Sequence, residues 1–147
     1  MRNTIAARLF VFTACLQLTP GAGAADGTVF VPAAEARWSN VAGAPGVQIA
    51  PLQGDPGNGP SHFLLKFAGG FSAPVHHHTA NHFVTVVAGT LVLAVDGKEQ
   101  KLGAGSYFSF SGKKKHSTRC EAGPDCVLAM DVRGKWDVVP AAKPAKP

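Results

Sequence analysis

Gly70-Phe-Ser-Ala-Pro-Val-His-His-His-Thr-Ala-Asn-His-Phe-Val-Thr-Val-Val-Ala-Gly89 is the stretch of this 147-residue chain that says most about its architecture. Two extended apolar pieces flank a polar Thr79-Ala80-Asn81 turn, and four of the six histidines, His76, His77, His78 and His82, lie within it. Alternate residues of an extended segment share a face, so His76 and His78 point the same way, roughly 6 to 7 Å apart, while His77 points the other. His82 opens the next strand, and the hairpin can bring it back toward that pair. His116, entering a later strand, can supply a further ligand. Crowded neutral imidazoles have no charge partner and repel on protonation, so a divalent cation is the simplest agent to hold them together. A histidine tract also fits an adventitious metal-binding surface loop. His62 and His77 are expected to be bystanders.

The same strand-and-turn texture extends in both directions. His62 to Ala68, His82 to Val87, Leu91 to Val95, Tyr107 to Phe110, His116 to Cys120 and Val127 to Val132 all read as strands bounded by Gly, Pro or Asp. Asp96-Gly97, between Leu91-Val95 and Lys98-Leu102, is the signature of a two-residue type I′ hairpin, in which both central residues take φ > 0. Upstream, Ala25 to Pro60 is rich in Pro and Gly, with short apolar pieces at Thr28 to Val31 and Val47 to Ala50 that read as edge strands. No segment sustains a helical period. With 17 Gly and 11 Pro in a 46% hydrophobic chain, the expectation is one all-β domain, a sandwich, jelly roll or small barrel. Phe63, Leu65 and Phe67 share one face and belong to the core, as do Phe108 and Phe110; Tyr107 and Ser109 face the other way.

The ends of the chain read differently. Residues 1–24 run from a basic start (Arg2, Arg8) through apolar Leu9 to Leu18 to small residues ending Ala22-Gly-Ala24, the order of a signal peptide cleaved near Ala24/Ala25. Export would place the mature protein in the periplasm or outside the cell. Phe12-Thr13-Ala14-Cys15 is a weaker lipobox alternative that would leave Cys15 lipidated. The apolar stretch is about half of the roughly 20 residues a bilayer span needs, so no stable membrane span is expected. Cleavage lowers the formal net charge from +5 to +3, and no aromatic-interleaved basic stripe accompanies it, so no nucleic acid partner is expected. It also leaves two cysteines, Cys120 and Cys126, whose default in an oxidising compartment is a disulfide. Cys120 shares strand parity with His116, which keeps thiolate ligation as a lesser alternative. The folded domain is expected over 25–139 and a disordered Lys/Pro/Ala tail over 140–147. Lys113-Lys114-Lys115 reads as a solvated turn, with attraction of an anionic ligand at the mouth of the fold as the alternative.

These residues resemble a known family. Gly70, five residues, His76-x-His78, three residues, His82, six residues and Gly89 follow the spacing of the first cupin motif, with His82 where that family usually has Glu. The second motif is worn: Gly105, five residues, Ser111 in place of Pro, Gly112, Lys113 in place of Gly, then His116, and Cys120 in place of Asn. The resemblance spans about Ser61 to Trp136. It implies a double-stranded β-helix, the cupin jelly-roll barrel, with one metal at its mouth held by His76, His78 and His116, and with His82 in the fourth ligand position. In some cupin dioxygenases the carboxylate at that place is both ligand and base. Imidazole there would leave the ion's +2 charge unneutralised.

The implied cofactor is one divalent transition metal, Fe, Mn, Ni, Cu or Zn, among which nitrogen ligands do not choose. Three roles follow for such a barrel. It could be a dioxygenase-like enzyme acting on a small oxygenated organic compound, a non-catalytic metal- or ligand-sensing module, or a storage or interaction protein. The expected partner is a small molecule, and an open jelly-roll edge is compatible with a homodimer.

Overall fold

A computed structural model describes residues 27–141. Among them, eleven strands form two antiparallel sheets. In chain order these are β1 (Ser39–Asn40), β2 (Val47–Gly54), β3 (Ser61–Phe67), β4 (Ser72–His77), β5 (His82–Ala88), β6 (Leu91–Val95), β7 (Lys98–Leu102), β8 (Tyr107–Phe110), β9 (His116–Cys120), β10 (Cys126–Val132) and β11 (Val139–Pro140). The larger sheet runs β1-β2-β3-β10-β5-β8 and the smaller β11-β4-β9-β6-β7. The chain thus alternates between sheets from β3 to β6 and again from β7 to β10, and strands distant in sequence become neighbours, as in a jelly roll. There is no α-helix among the described residues, and no helix long and apolar enough to cross a membrane.

Alternation of burial explains why these segments form strands with one wet face. Ser61, Phe63, Leu65 and Phe67 are buried on β3 while the residues between them are not, and Cys126, Leu128, Met130 and Val132 do the same on β10. The two strands pair in continuous register from Cys126↔Phe67 to Val132↔Ser61, so their apolar positions face one core. Val84 and Val86 of β5, Leu91 of β6 and Cys120 of β9 complete it. Phe108 packs against this cluster as expected, and Phe110 turns instead toward the histidines. Tyr107 is exposed.

The turns follow their chemistry. Asp96 and Gly97 both have positive φ, and Leu91↔Leu102 through Val95↔Lys98 pair across them, as the type I′ reading requires. Gly89, the last glycine of the opening stretch, has φ +75°, and a Cβ there would stand 2.6 Å from Asp125 O and 2.8 Å from Cys126 Cα. Only glycine lets β5 turn into β6 that close to the start of β10.

Upstream, the strand expected at Thr28 to Val31 does not form. Val29, Phe30 and Val31 are exposed, and Pro32, which lacks an N–H for a ladder, leads into a 3₁₀ turn at Ala33–Glu35. The piece expected at Val47 to Ala50 runs on to Gly54. Pro51 is tolerated because β1 pairs only with Gln48 and Ile49 and a register shift follows between Pro51 and Gln53. At the other end β11 adds two residues to the smaller sheet, with Ala141 N–H donating to Val75 O. The signal-peptide and Cys15 readings, and the tail from 142 on, lie outside the described residues.

Cys120 and Cys126 are joined in a disulfide, so neither sulfur is a free thiolate. The bridge closes a short loop, for which chain entropy gives about 2 kcal/mol. Reduction of the otherwise intact protein should lower its stability by about that much, read as a shift in urea midpoint with and without reductant. An unchanged midpoint would mean that the hairpin ends are held without the bridge.

Candidate metal centre

At one end of the barrel the two sheets come together around four buried imidazoles. His76 lies on β4 and pairs in register with His116, the first residue of β9. His78 lies just past the end of β4, on the same face as His76, and His77 points away, as alternation predicts. His82, first residue of β5, approaches from the larger sheet, opposite Phe110 of β8. The ring nitrogens of His76, His78 and His116 include one donor atom each within 4.8 Å of one another. The His82 ring stands beside this trio, 4.8 Å from His78 and 6.1 Å from His116 between centroids.

All four rings are oriented by the same device. Nδ1 of His76 donates to Pro74 O (2.8 Å), that of His82 to Ala80 O (3.3 Å) and that of His116 to Lys114 O (2.9 Å). In each case the acceptor is the carbonyl two residues earlier. Nδ1 of His78 donates to Asp137 O, from a segment 59 residues downstream. With Nδ1 carrying the proton, each Nε2 keeps its lone pair, which is how proteins fix an imidazole tautomer for metal binding.

Aromatic planes complete the setting. Trp136 stacks on His78 with centroids 3.8 Å apart, and Phe110 stacks on His116 at 4.4 Å. The Asp137 carboxylate takes hydrogen bonds from Thr79 N–H (2.8 Å) and Thr79 Oγ1 (2.6 Å), tying the C-terminal segment to the residue after His78. Asn81 Oδ1 accepts from Gly112 N–H, where a Cβ would run into Thr79 O. The lysine tract serves the site through its backbone: Lys113 N–H donates to His78 O, and Lys114 O holds His116. The Lys114 ammonium pairs with Asp96 at 2.6 Å.

Burial pushes all four rings toward the neutral form. It holds the His78 pKa down at about 3 and that of His116 at about 4, with like-charge repulsion among the rings adding to the effect. His76 and His82 are lowered for the same first reason. The group is therefore a set of neutral nitrogen donors at pH 7, the state a divalent ion binds. His62 lies elsewhere, half-exposed and 3.9 Å from the Asp131 carboxylate, and His77 Nδ1 has no partner among the described residues.

The imidazoles open onto a cavity of about 390 Å³ between the sheets. Sequence reasoning missed Trp136 and Asp137. Neither belongs to a motif, and only the return of the chain across the barrel mouth brings them to His78.

Residues 63–132 match the family model described as the Cupin domain. No curated protein matches the chain in sequence. The fold is similar to that of the polyketide cyclase RemF from Streptomyces resistomycificus (TM-score 0.68, 17% identity, 82% of this chain and 89% of that one). It is also similar to KdgF from Halomonas sp. (TM-score 0.61, 21% identity, 73% and 94%). A third likeness is to the DMSP lyase DddQ from Ruegeria pomeroyi (TM-score 0.61, 18% identity, 82% and 75%).

The depressed histidine pKa values set a pH dependence. Unfolded imidazoles titrate near 6.5 and the buried ones well below it, so the unfolded chain binds more protons in between. The metal-free protein should keep its full stability above about pH 6.5 and lose it as pH falls toward 4, by up to about 1.4 kcal/mol per pH unit for each ring. Urea unfolding at pH 7.5 and pH 5 checks this. His78→Ala should show a smaller difference between the two, and a flat profile for the parent protein would contradict burial of neutral rings.

Proposed function

Because the chain belongs to the cupin superfamily, we propose that it holds one divalent transition metal through Nε2 of His76, His78 and His116, with His82 as fourth nitrogen donor. We propose further that it binds and transforms a small oxygen-bearing organic molecule there, in the dioxygenase-like manner of its resemblance. One observation carries the reading: four Nδ1–H groups are committed to backbone carbonyls, so four neutral Nε2 atoms are free beside a largely apolar cavity. Imidazole donors suit Zn, Cu, Fe and Ni. The ion when bound would supply Lewis acidity and, if redox-active, a place for dioxygen chemistry.

The chain's own groups have definable parts in this. Trp136 and Phe110 hold the His78 and His116 planes from the side and exclude water from them. Thr118, two residues along β9 from His116, brings a hydroxyl to the cavity wall, where it can hydrogen-bond a ligand. Export to the periplasm or beyond is part of the proposal, supported by the order of basic, apolar and small residues over 1–24 and by the Cys120–Cys126 bridge.

A non-catalytic ligand-binding or sensing role is favoured by one specific feature. No carboxylate lines the cavity, so imidazole is the only protein base within it among the described residues.

Elemental analysis of protein purified without an affinity His-tag tests the centre. The parent should carry close to one equivalent of a transition metal, and His76→Ala/His78→Ala should lose it. His77→Ala should keep it, because that ring faces the other side of β4. Equal loss in both variants, or no metal in the parent and no thermal stabilisation by added divalent ions, would sink the reading. Iron, copper, nickel or manganese would direct the search toward O₂ chemistry; zinc would direct it to hydrolytic, isomerising or structural roles.

A further inference from the structure

The walls of the cavity restrict what can sit beside the histidines. Phe67, Val84, Phe108, Leu128 and Met130 form most of its depth, and Val41, Ala44, Pro45, Pro74 and Val138 surround its mouth. Besides the four imidazoles, the polar side-chain groups on the lining residues are the hydroxyls of Ser72 and Thr118 and the indole N–H of Trp136. Among the described residues no Asp, Glu, Lys or Arg lines it. The lysines at 113–115 do not reach it, so a negatively charged tail would meet no cation there.

We propose that the ligand is a largely apolar compound of about a dozen non-hydrogen atoms, with one acidic oxygen group that binds as a monoanion at the histidine end. A phenol, an enol or an aliphatic carboxylic acid fits this description, provided the molecule has no second charge. This rests on the metal reading above. The size follows from the 390 Å³ volume at roughly 30 Å³ per water-sized unit. The single negative charge follows from the donor set: neutral imidazoles leave the ion's two positive charges unneutralised, so an anionic oxygen next to it is favoured. The neutrality of the remainder follows from the walls, where a second charge would be buried without a partner. Polyhydroxylated and multiply charged compounds are disfavoured for the same reason, since the walls offer only two hydroxyls and one indole N–H for their polar groups.

The test uses four hydroxamic acids that share one metal-binding headgroup, titrated calorimetrically into full-length protein loaded with zinc and shown by elemental analysis to hold it. Benzohydroxamic acid should bind about 30-fold or more tighter than acetohydroxamic acid, because its ring is buried against apolar walls. The isosteric pair 4-nitrobenzohydroxamic and 4-carboxybenzohydroxamic acid isolates charge, and the carboxylate should cost about 30-fold or more. With zinc bound, equal affinities within either comparison overturn the proposal and leave the metal reading standing. If the protein takes up no metal, the metal reading fails by itself. The cavity is then probed with 4-nitrotoluene against 4-toluate by perturbation of the Met130 methyl resonance. Rejection of the anion upholds the exclusion of charge by the cavity walls on which the proposal rests, and equal perturbation overturns it.

Discussion

Everything at the open end of this barrel depends on where four Nδ1–H groups go. A buried imidazole that gives its Nδ1 proton to a main-chain carbonyl cannot rotate without orphaning a donor, and it has one lone pair left to offer. For His76, His82 and His116 the acceptor is two residues back in the same segment, so the strand that delivers the ring also fixes its plane. Pairing of His76 with His116 in register across β4 and β9 then sets the spacing between two of these rings. Sheet geometry, tautomer and ligand direction are one constraint rather than three.

That constraint is affordable because the remainder of the interior is apolar. The β3 and β10 faces and the β5 valines supply a core in which the histidines are the main polar guests. Burial strips water from the rings and favours their neutral form, and the aromatic faces of Trp136 and Phe110 stack on two of them. The same dryness that prepares the nitrogens for a cation leaves the cavity poorly suited to any group whose charge the cation does not offset.

The sequence spoke clearly wherever local chemistry decides the outcome. Strand limits at Leu91–Val95, Tyr107–Phe110 and His116–Cys120 were legible because glycine and aspartate turns bound them. The Asp96-Gly97 hairpin and the opposite facing of His77 were legible because two-residue turns and alternation leave little choice. Thr28 to Val31 misled because apolar composition alone does not make a strand, and Pro32 behind it leads into a 3₁₀ turn instead. The lysine tract drew notice for its charge, while its contribution runs through Lys113 N–H and Lys114 O, groups every residue possesses. Trp136 and Asp137 were beyond reach because their meaning depends on a contact spanning 59 residues.

The exception among the four hydrogen bonds bears on the order of events in the life of the chain. By the time a ribosome has added His116, all four imidazoles exist, yet the carbonyl that seats His78 and the indole that covers it arrive some twenty residues later. Until then His78 has neither its Nδ1 acceptor nor its stacking partner. The centre is therefore completed only once residue 137 has been added, and an ion bound there would come from the surroundings in which the chain is finished rather than those in which synthesis begins.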